Sequence, residues 1–222
     1  MELSIDAVSD EPGLALSVAG VAALTATWHT QQNHSKELLP NIDRLLTEAG
    51  RTKRDIEAVF VDVGPGGYAA LRVGVSIAKA LAHGLGVPVV GIGRLELEAY
   101  AVAEAAGRRR IVAAHRAGRG DVASASYARD GAWTELSPPA MSKPDEMLAQ
   151  LRGGDVITGD IDPAWQGALE AAGASVLTSD AHRVIALAAL GRARLDAGRV
   201  DDAATLVPVY LRAPAIGGRP QD

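Results

Sequence analysis

The feature that most constrains this chain is an order of elements that occurs twice. Residues 3–8, 14–18 and 22–28 are short runs rich in Val, Leu, Ile and Thr, separated by the turn signals Asp10-Glu11-Pro12-Gly13 and Ala19-Gly20. They predict a three-strand meander. A helix over 35–49 follows, with Leu38, Leu39, Ile42, Leu45, Leu46 and Ala49 on one face and Gly50 as its stop. A strand at 58–63, a helix at 69–83, a strand at 87–92 and a helix at 95–106 complete the first series. The second series has strands at 111–114, 122–127 and 133–136, a helix at 144–151, a strand at 156–158, a helix at 163–172, a strand at 175–177 and a helix at 181–197. Two series of this kind predict a duplicated three-layer α/β unit with subdomains 1–107 and 108–222. The last helix is placed to pack back on the first subdomain, and the tail 217–222 is expected to be flexible.

Bulk properties exclude several classes. With 222 residues and 48% hydrophobic side chains the chain can bury a sizeable core. Its formal charge of -5 gives no global positive field for nucleic acid. The densest basic stretch, Arg108, Arg109, Arg110, Arg116 and Arg119, reads as a solvated turn between subdomains. There is no cysteine, which excludes disulfides, thiolate metal sites and cysteine nucleophiles and fits a reducing cytosol. Residues 13–30 lack Asp, Glu, Lys and Arg but hold Gly, Ser and Thr and follow Asp10 and Glu11, so they read as strands instead of a signal peptide or membrane span.

The stretch VGPGGYAALRVG, residues 63–74, invites a phosphate-loop reading. A Walker A loop fails because no Gly-Lys-Ser/Thr follows. Gly64-x-Gly66-x-x-Ala69 fits a dinucleotide fingerprint, but the next strand closes in Gly91-Ile92-Gly93-Arg94 without an acidic ribose ligand. The remaining reading is a sharp turn whose N–H groups end at a helix N-terminus. No two histidines stand at i, i+4 and no serine lies in a G-x-S-x-G elbow, so neither a metal nor a nucleophile is expected. In the helix that follows, Ala70, Gly74, Ala78 and Ala82 form a stripe of small residues, and Arg72, Ser76, Lys79 and His83 form one polar line. A helix so apolar on its other sides needs two neighbours. One is its own sheet; the other is the 35–49 helix or a second protein. Arg72 opposes the helix dipole, which predicts a carboxylate partner or a contact role.

Taken together, HSKELLPNIDRLLTEAG (34–50), VGPGGYAALRVGVSIAKALAHGLGVPVVGIGRLE (63–96) and the late PVYLRAP (208–214) resemble the TsaB (YeaZ) family of tRNA threonylcarbamoyladenosine biosynthesis. The resemblance implies an actin-like, sugar-kinase/Hsp70-type fold with two βββαβα-type subdomains. It implies a non-enzymatic cytoplasmic protein that needs no cofactor, holds the related catalytic subunit TsaD, works with the ATPase TsaE, and meets tRNA only within the complex. Family pairing through a helical bundle maps onto Leu38, Leu39, Ile42, Leu45 and Leu46, and onto Ala70, Arg72, Gly74, Ser76, Ala78, Lys79 and Ala82. The same surface is expected to support a homodimer.

An actin-like fold also places Asp6 and Asp160 at phosphate or metal positions and makes Asp6, Gly64, Gly66 and Gly67 a vestigial phosphate loop. The sequence departs from the family there. The usual Ser, Phe, Thr and Gly of the loop are Gly67, Tyr68, Ala69 and Ala70, the usual Asp-Thr-Ser/Ala is Asp6-Ala7-Val8, and the family's leading acid at 115 is His115. The rival reading is an ATP-dependent kinase or carbamoyl transferase acting between the halves; a peptidase lacks its histidine pair, and an oxidoreductase is more distant still.

Overall fold

The computed structural model describes residues 1–30 and 34–211. The tail 217–222 lies outside them, as do the last three residues of the 208–214 stretch. Strands β1 (Glu2–Asp6), β2 (Gly13–Val18), β3 (Val21–Thr27), β4 (Ala58–Gly64) and β5 (Val89–Gly93) form one sheet, ordered β3-β2-β1-β4-β5. Strands β6 (Ile111–Arg116), β7 (Val122–Asp130), β8 (Ala132–Ser142), β9 (Val156–Gly159) and β10 (Ser175–Val176) form the other, ordered β10-β9-β6-β7-β8. In each, the first strand pairs antiparallel with the second and parallel with the fourth. The expected duplication is therefore present strand for strand.

The helices are α1 (His34–Glu48), α2 (Tyr68–Leu85), α3 (Arg94–Ala101), α4 (Ala103–Ala106), α5 (Pro144–Leu148), α6 (Gln166–Ala172) and α7 (Arg183–Asp196). One face of the first sheet, with Leu3, Ile5, Val59 and Val61, packs on Leu38, Ile42 and Leu45 of α1 and on Val75 and Ala78 of α2. Alternation along the strands turns Phe60, Val90 and Ile92 to the opposite face, where Ala186, Leu187 and Leu190 of α7 cover them. Gly191 permits this close approach, because a Cβ there would lie 2.3 Å from Phe60 Cγ. The second sheet receives Leu95 and Ala99 of α3 on one face and Met147, Trp165 and Leu169 on the other. Each sheet thus borrows a helix from the other half of the chain.

Local differences from the expected elements have local causes. Strand β8 runs to Ser142 instead of stopping at 136, because Pro138 and Pro139 fall in a register irregularity between Ser137 and Ala140 on the outer strand of the sheet. The single helix expected at 95–106 is broken at Val102, whose ψ of 2° leaves the helical region, giving α3 and α4. The helix expected from 163 opens as a short 3-10 turn, Pro163–Trp165, with the Asp162 side chain accepting from Ala164 N.

Candidate functional site

Two acidic strand ends meet beneath the cleft between the sheets. Ile5 pairs with Val61 in the parallel β1–β4 ladder, so Asp6 and Asp62 stand side by side where these strands end. Each caps its own turn. Asp6 Oδ1 accepts from Val8 N at 3.2 Å, and Asp62 Oδ1 accepts from Gly64 N at 2.7 Å. Burial, followed by the charge of Asp6, holds the Asp62 carboxyl well above the usual carboxylate range. Arg183, in the first turn of α7, answers Asp6: its Nη2 lies 3.0 Å from Asp6 Oδ2 and donates to Ser9 Oγ at 2.9 Å. His182 adds a second tie. Its Nδ1 accepts from Val184 N and its Nε2 donates to the Glu11 carbonyl, in space that Gly13 leaves by having no Cβ.

The opposite wall comes from α3, β6 and β9. Arg94 is buried and donates through Nε to Glu98 Oε1 at 2.7 Å, one helical turn away. Its Nη1 lies 3.5 Å from His115 Nε2. Burial, then the Arg94 charge, pushes the His115 imidazole down to about 4, so the ring is neutral at pH 7. A guanidinium only donates, so Nε2 accepts and the proton sits on Nδ1. Asp160 is held by Arg116, whose Nε and Nη2 approach its two oxygens at 2.9 Å each. Between the walls is a cavity of about 580 Å³.

Of the two acids expected at ligand positions, Asp160 lines the cleft while Asp6 is buried behind Arg183, and the chain's own arginines engage both. The glycine loop is likewise filled from within. Gly64 has φ 99°, open to glycine at little cost, and a Cβ on Gly66 would lie 2.8 Å from the Val8 carbonyl oxygen. Gly67 N donates to that same oxygen at 3.4 Å. Asp6, Gly66 and Gly67 come together around Val8, while Gly64 donates to Asp62 and packs against Leu71.

The helical surface is turned round relative to the expectation. Ala70, Gly74, Ala78 and Ala82 are buried, and a Cβ on Gly74 would lie 3.0 Å from Ala7 Cβ, so the small stripe packs on the chain's own first sheet. Leu38, Ile42, Leu45 and Leu46 are buried in the same core. These eight are intramolecular packing residues, because the 100° helical step that aligns them also aims them inward. Leu39 is 41% exposed, and Arg72 and Ser76 are exposed with Ala69, Ala80 and His83 in one outward row on α2. Among the described residues no carboxylate pairs with Arg72; its guanidinium lies 4.4 Å from the Tyr68 ring centroid.

Lys79 is committed elsewhere, donating to the carbonyls of Ala204 at 3.2 Å and Leu206 at 2.8 Å. It anchors a strap, residues 201–211, that the sequence reading missed. Asp201 bridges to Val89, Val209 N donates to Val63 O at 2.8 Å, and the Tyr210 ring lies 4.9 Å from that of Tyr68. The alternating apolar residues Val207, Val209 and Leu211, after Leu206, were its signal. The cluster of Arg94, Glu98, His115 and Arg183 was also missed, although Arg94 and Glu98 stand at the i, i+4 spacing of a helical ion pair. The basic stretch is largely paired internally: Arg108 with Asp130, Arg110 with Asp155 and Arg116 with Asp160, while Arg109 donates to the carbonyls of Ala105 and Ala106. Among the described residues no group of three or more His, Cys, Asp or Glu is placed to hold a metal, and no helix is long and apolar enough to cross a membrane.

Comparison with known proteins agrees with this architecture. The family model described as TsaD, tRNA N6-adenosine threonylcarbamoyltransferase, matches residues 27–160. The tRNA threonylcarbamoyladenosine biosynthesis protein TsaB of Escherichia coli is 32% identical over 167 residues, covering 68% of this chain and 72% of that protein. TsaB of Haemophilus influenzae is 26% identical over 193 residues, covering 82% and 81%. Among solved structures, YeaZ from Pseudomonas aeruginosa superposes with a TM-score of 0.73 at 24% identity, covering 95% of this chain and all of that one. The ROK hexokinase of Thermus thermophilus shares the fold with a TM-score of 0.52 at 12% identity, covering 89% of this chain and 99% of that one. Matching over most of its length in both sequence and fold, this actin-like chain belongs to the TsaB (YeaZ) family.

Proposed function

We propose that the chain is a non-catalytic partner of a TsaD-type threonylcarbamoyltransferase in tRNA threonylcarbamoyladenosine synthesis, working with a TsaE-type ATPase. The observation that carries this reading is the outward row of α2, Ala69, Arg72, Ser76, Ala80 and His83, together with exposed Leu39 on the neighbouring α1. Small and uncharged positions along most of such a row let another helix approach closely, and Arg72 at its end supplies a charge for register. The buried stripe beneath keeps α2 rigid against its own sheet. At the cleft, the Arg183 guanidinium on Asp6 supports an accessory role over phosphoryl transfer. The same outward row is the surface we assign to a homodimer, in competition with the transferase.

The test is titration of a TsaD-type transferase with the wild type and with Ser76→Trp and Leu39→Asp, both at exposed positions that leave the core untouched. Each variant is expected to keep the wild-type circular dichroism and weaken association by at least about tenfold, roughly 1.4 kcal/mol. Unchanged binding by both variants removes the surface from consideration. ATP turnover by the isolated chain would favour the kinase or carbamoyl-transferase reading instead.

A further inference from the structure

Four strands end the two sheets, and three of these edges are closed. Along β5, Asp201 of the strap bridges Val89, and its carboxylate accepts from Gly91 N at 2.8 Å. Pro138 and Pro139, which have no N–H, interrupt β8, and β10 is only two residues long. Strand β3 has none of these protections: its seven residues, VAALTAT, hold no proline and no charge, and among the described residues no strand pairs with its outer side. Its bulge, at Ala23, leaves residues 24–27 in regular register with β2. That ladder continues past the strand end, where Trp28 N donates to Pro12 O and Thr30 N to Asp10 O. Alternation in an antiparallel pair therefore turns the N–H and C=O of Thr25 and Thr27 outward. Such a row of backbone groups is a template for another strand.

Apolar surface flanks that row. Ala19 and Gly20, with φ 51° and 78°, turn β2 into β3, and the valines on either side, Val18 and Val21, are 63% and 71% exposed. Ile185 of α7 is 42% exposed and, with Ala189, Val21 and Leu24, lines a groove of about 430 Å³ beside the strand. The charge pattern selects the occupant. Residues 13–30 lack Asp, Glu, Lys and Arg on a chain of formal charge -5, so a charged segment finds no complement here, whereas two copies meeting at this edge bring no like charges together. Antiparallel pairing of a strand with itself is two-fold symmetric, so one patch serves both copies and the assembly closes as a dimer. Strands β2 and β1 stand between β3 and β4, which carries α2, so this pairing leaves the outward α2 row open.

We infer that β3 is a second self-association surface, at which a second copy of this chain pairs antiparallel to make one continuous sheet. Ser76→Trp blocks close approach at the α2 row, so a dimer that persists in it is not the one assigned there. Sedimentation velocity on the full chain and on Ser76→Trp is expected to show, in both, a dimer with a dissociation constant of about 100 µM or tighter. Thr25→Lys, at an exposed position, is expected to keep the wild-type circular dichroism and to weaken the Ser76→Trp dimer at least about tenfold, because it sets like charges across the two-fold axis. Thr25→Cys, in a chain with no other cysteine, is expected to cross-link to its own kind through a short bismaleimide faster than Glu170→Cys, exposed on α6. The inference is overturned by a monomeric Ser76→Trp at about 200 µM, by a dimer that Thr25→Lys leaves unchanged, or by equal cross-linking of the two cysteine variants. It is also overturned by a chain that dimerises only when residues 212–222 are deleted, which would give the edge to the chain's own tail.

Discussion

Asp62 shows how a single buried acid shapes the stability of this protein. Its carboxyl is fully buried beside Asp6, and its value lies well above the ordinary 3.8. Between 3.8 and that raised native value the folded state binds more protons than the unfolded chain, so stability falls as pH rises through this window. Asp62→Asn keeps a carbonyl oxygen for the Gly64 amide and removes the ionisation. The variant is expected to be at least as stable as the wild type at pH 7 and to lose this part of the decline, measured by urea unfolding across pH. Asp6→Asn has the opposite sign. It removes the anion facing Arg183, whose side chain is only 18% exposed, and is expected to cost about 3 kcal/mol in the same assay. Neither role was legible in the sequence, because the ladder that sets Asp6 beside Asp62 joins residues more than fifty positions apart. By contrast, the glycines at 64 and 66 were visible as a tight turn, and only the Val8 carbonyl explains why the second is needed.

At the scale of elements, α2 was legible in extent and illegible in orientation. Its apolar surface predicted two neighbours, and it has three: the first sheet, α1 and the strap. Periodicity tells which residues share a face but not whether that face meets the chain's own sheet or a stranger, and Ala7 decided it for Gly74. Gly74→Leu is accordingly expected to destabilise the isolated chain by about 1–3 kcal/mol through overpacking, read as a lower midpoint in urea. The strap carries a separate prediction. Lys79 ties it through the Ala204 and Leu206 carbonyls, while Leu206 and Ala203 are only half-buried against the core. In Lys79→Ala the amides of Asp201 and Val209 are expected to exchange hydrogen markedly faster, with a change in global stability below about 1 kcal/mol. Equal loss of protection throughout α2 would mean that strap and helix open as one unit.

For the whole molecule, the repeated order of elements made the duplication readable, since strand and helix periodicities are local properties. The exchange of helices was less readable, because α3 and α7 have similar amphipathic patterns wherever they dock. Leu97 of α3 packs with Phe60 and Leu187 in one core, while Leu95 and Ala99 of the same helix pack with Ile111 and Val156 in the other. The proposed division at 107/108 therefore separates two sheets without separating two cores. A fragment of residues 1–107 would expose Phe60, Val90 and Ile92, which α7 covers in the intact chain. Uncovering these large side chains loses about 1.5–3 kcal/mol each, enough to exhaust the stability of a small domain. The fragment is expected to show no cooperative unfolding and no dispersed amide spectrum alone, and neither is 108–222. Mixed or co-expressed, the two are expected to recover the native spectrum, with α7 closing over β4 and β5. A 1–107 fragment that folds cooperatively by itself would show that the first sheet needs only α1 and α2, and that the borrowed helix is dispensable.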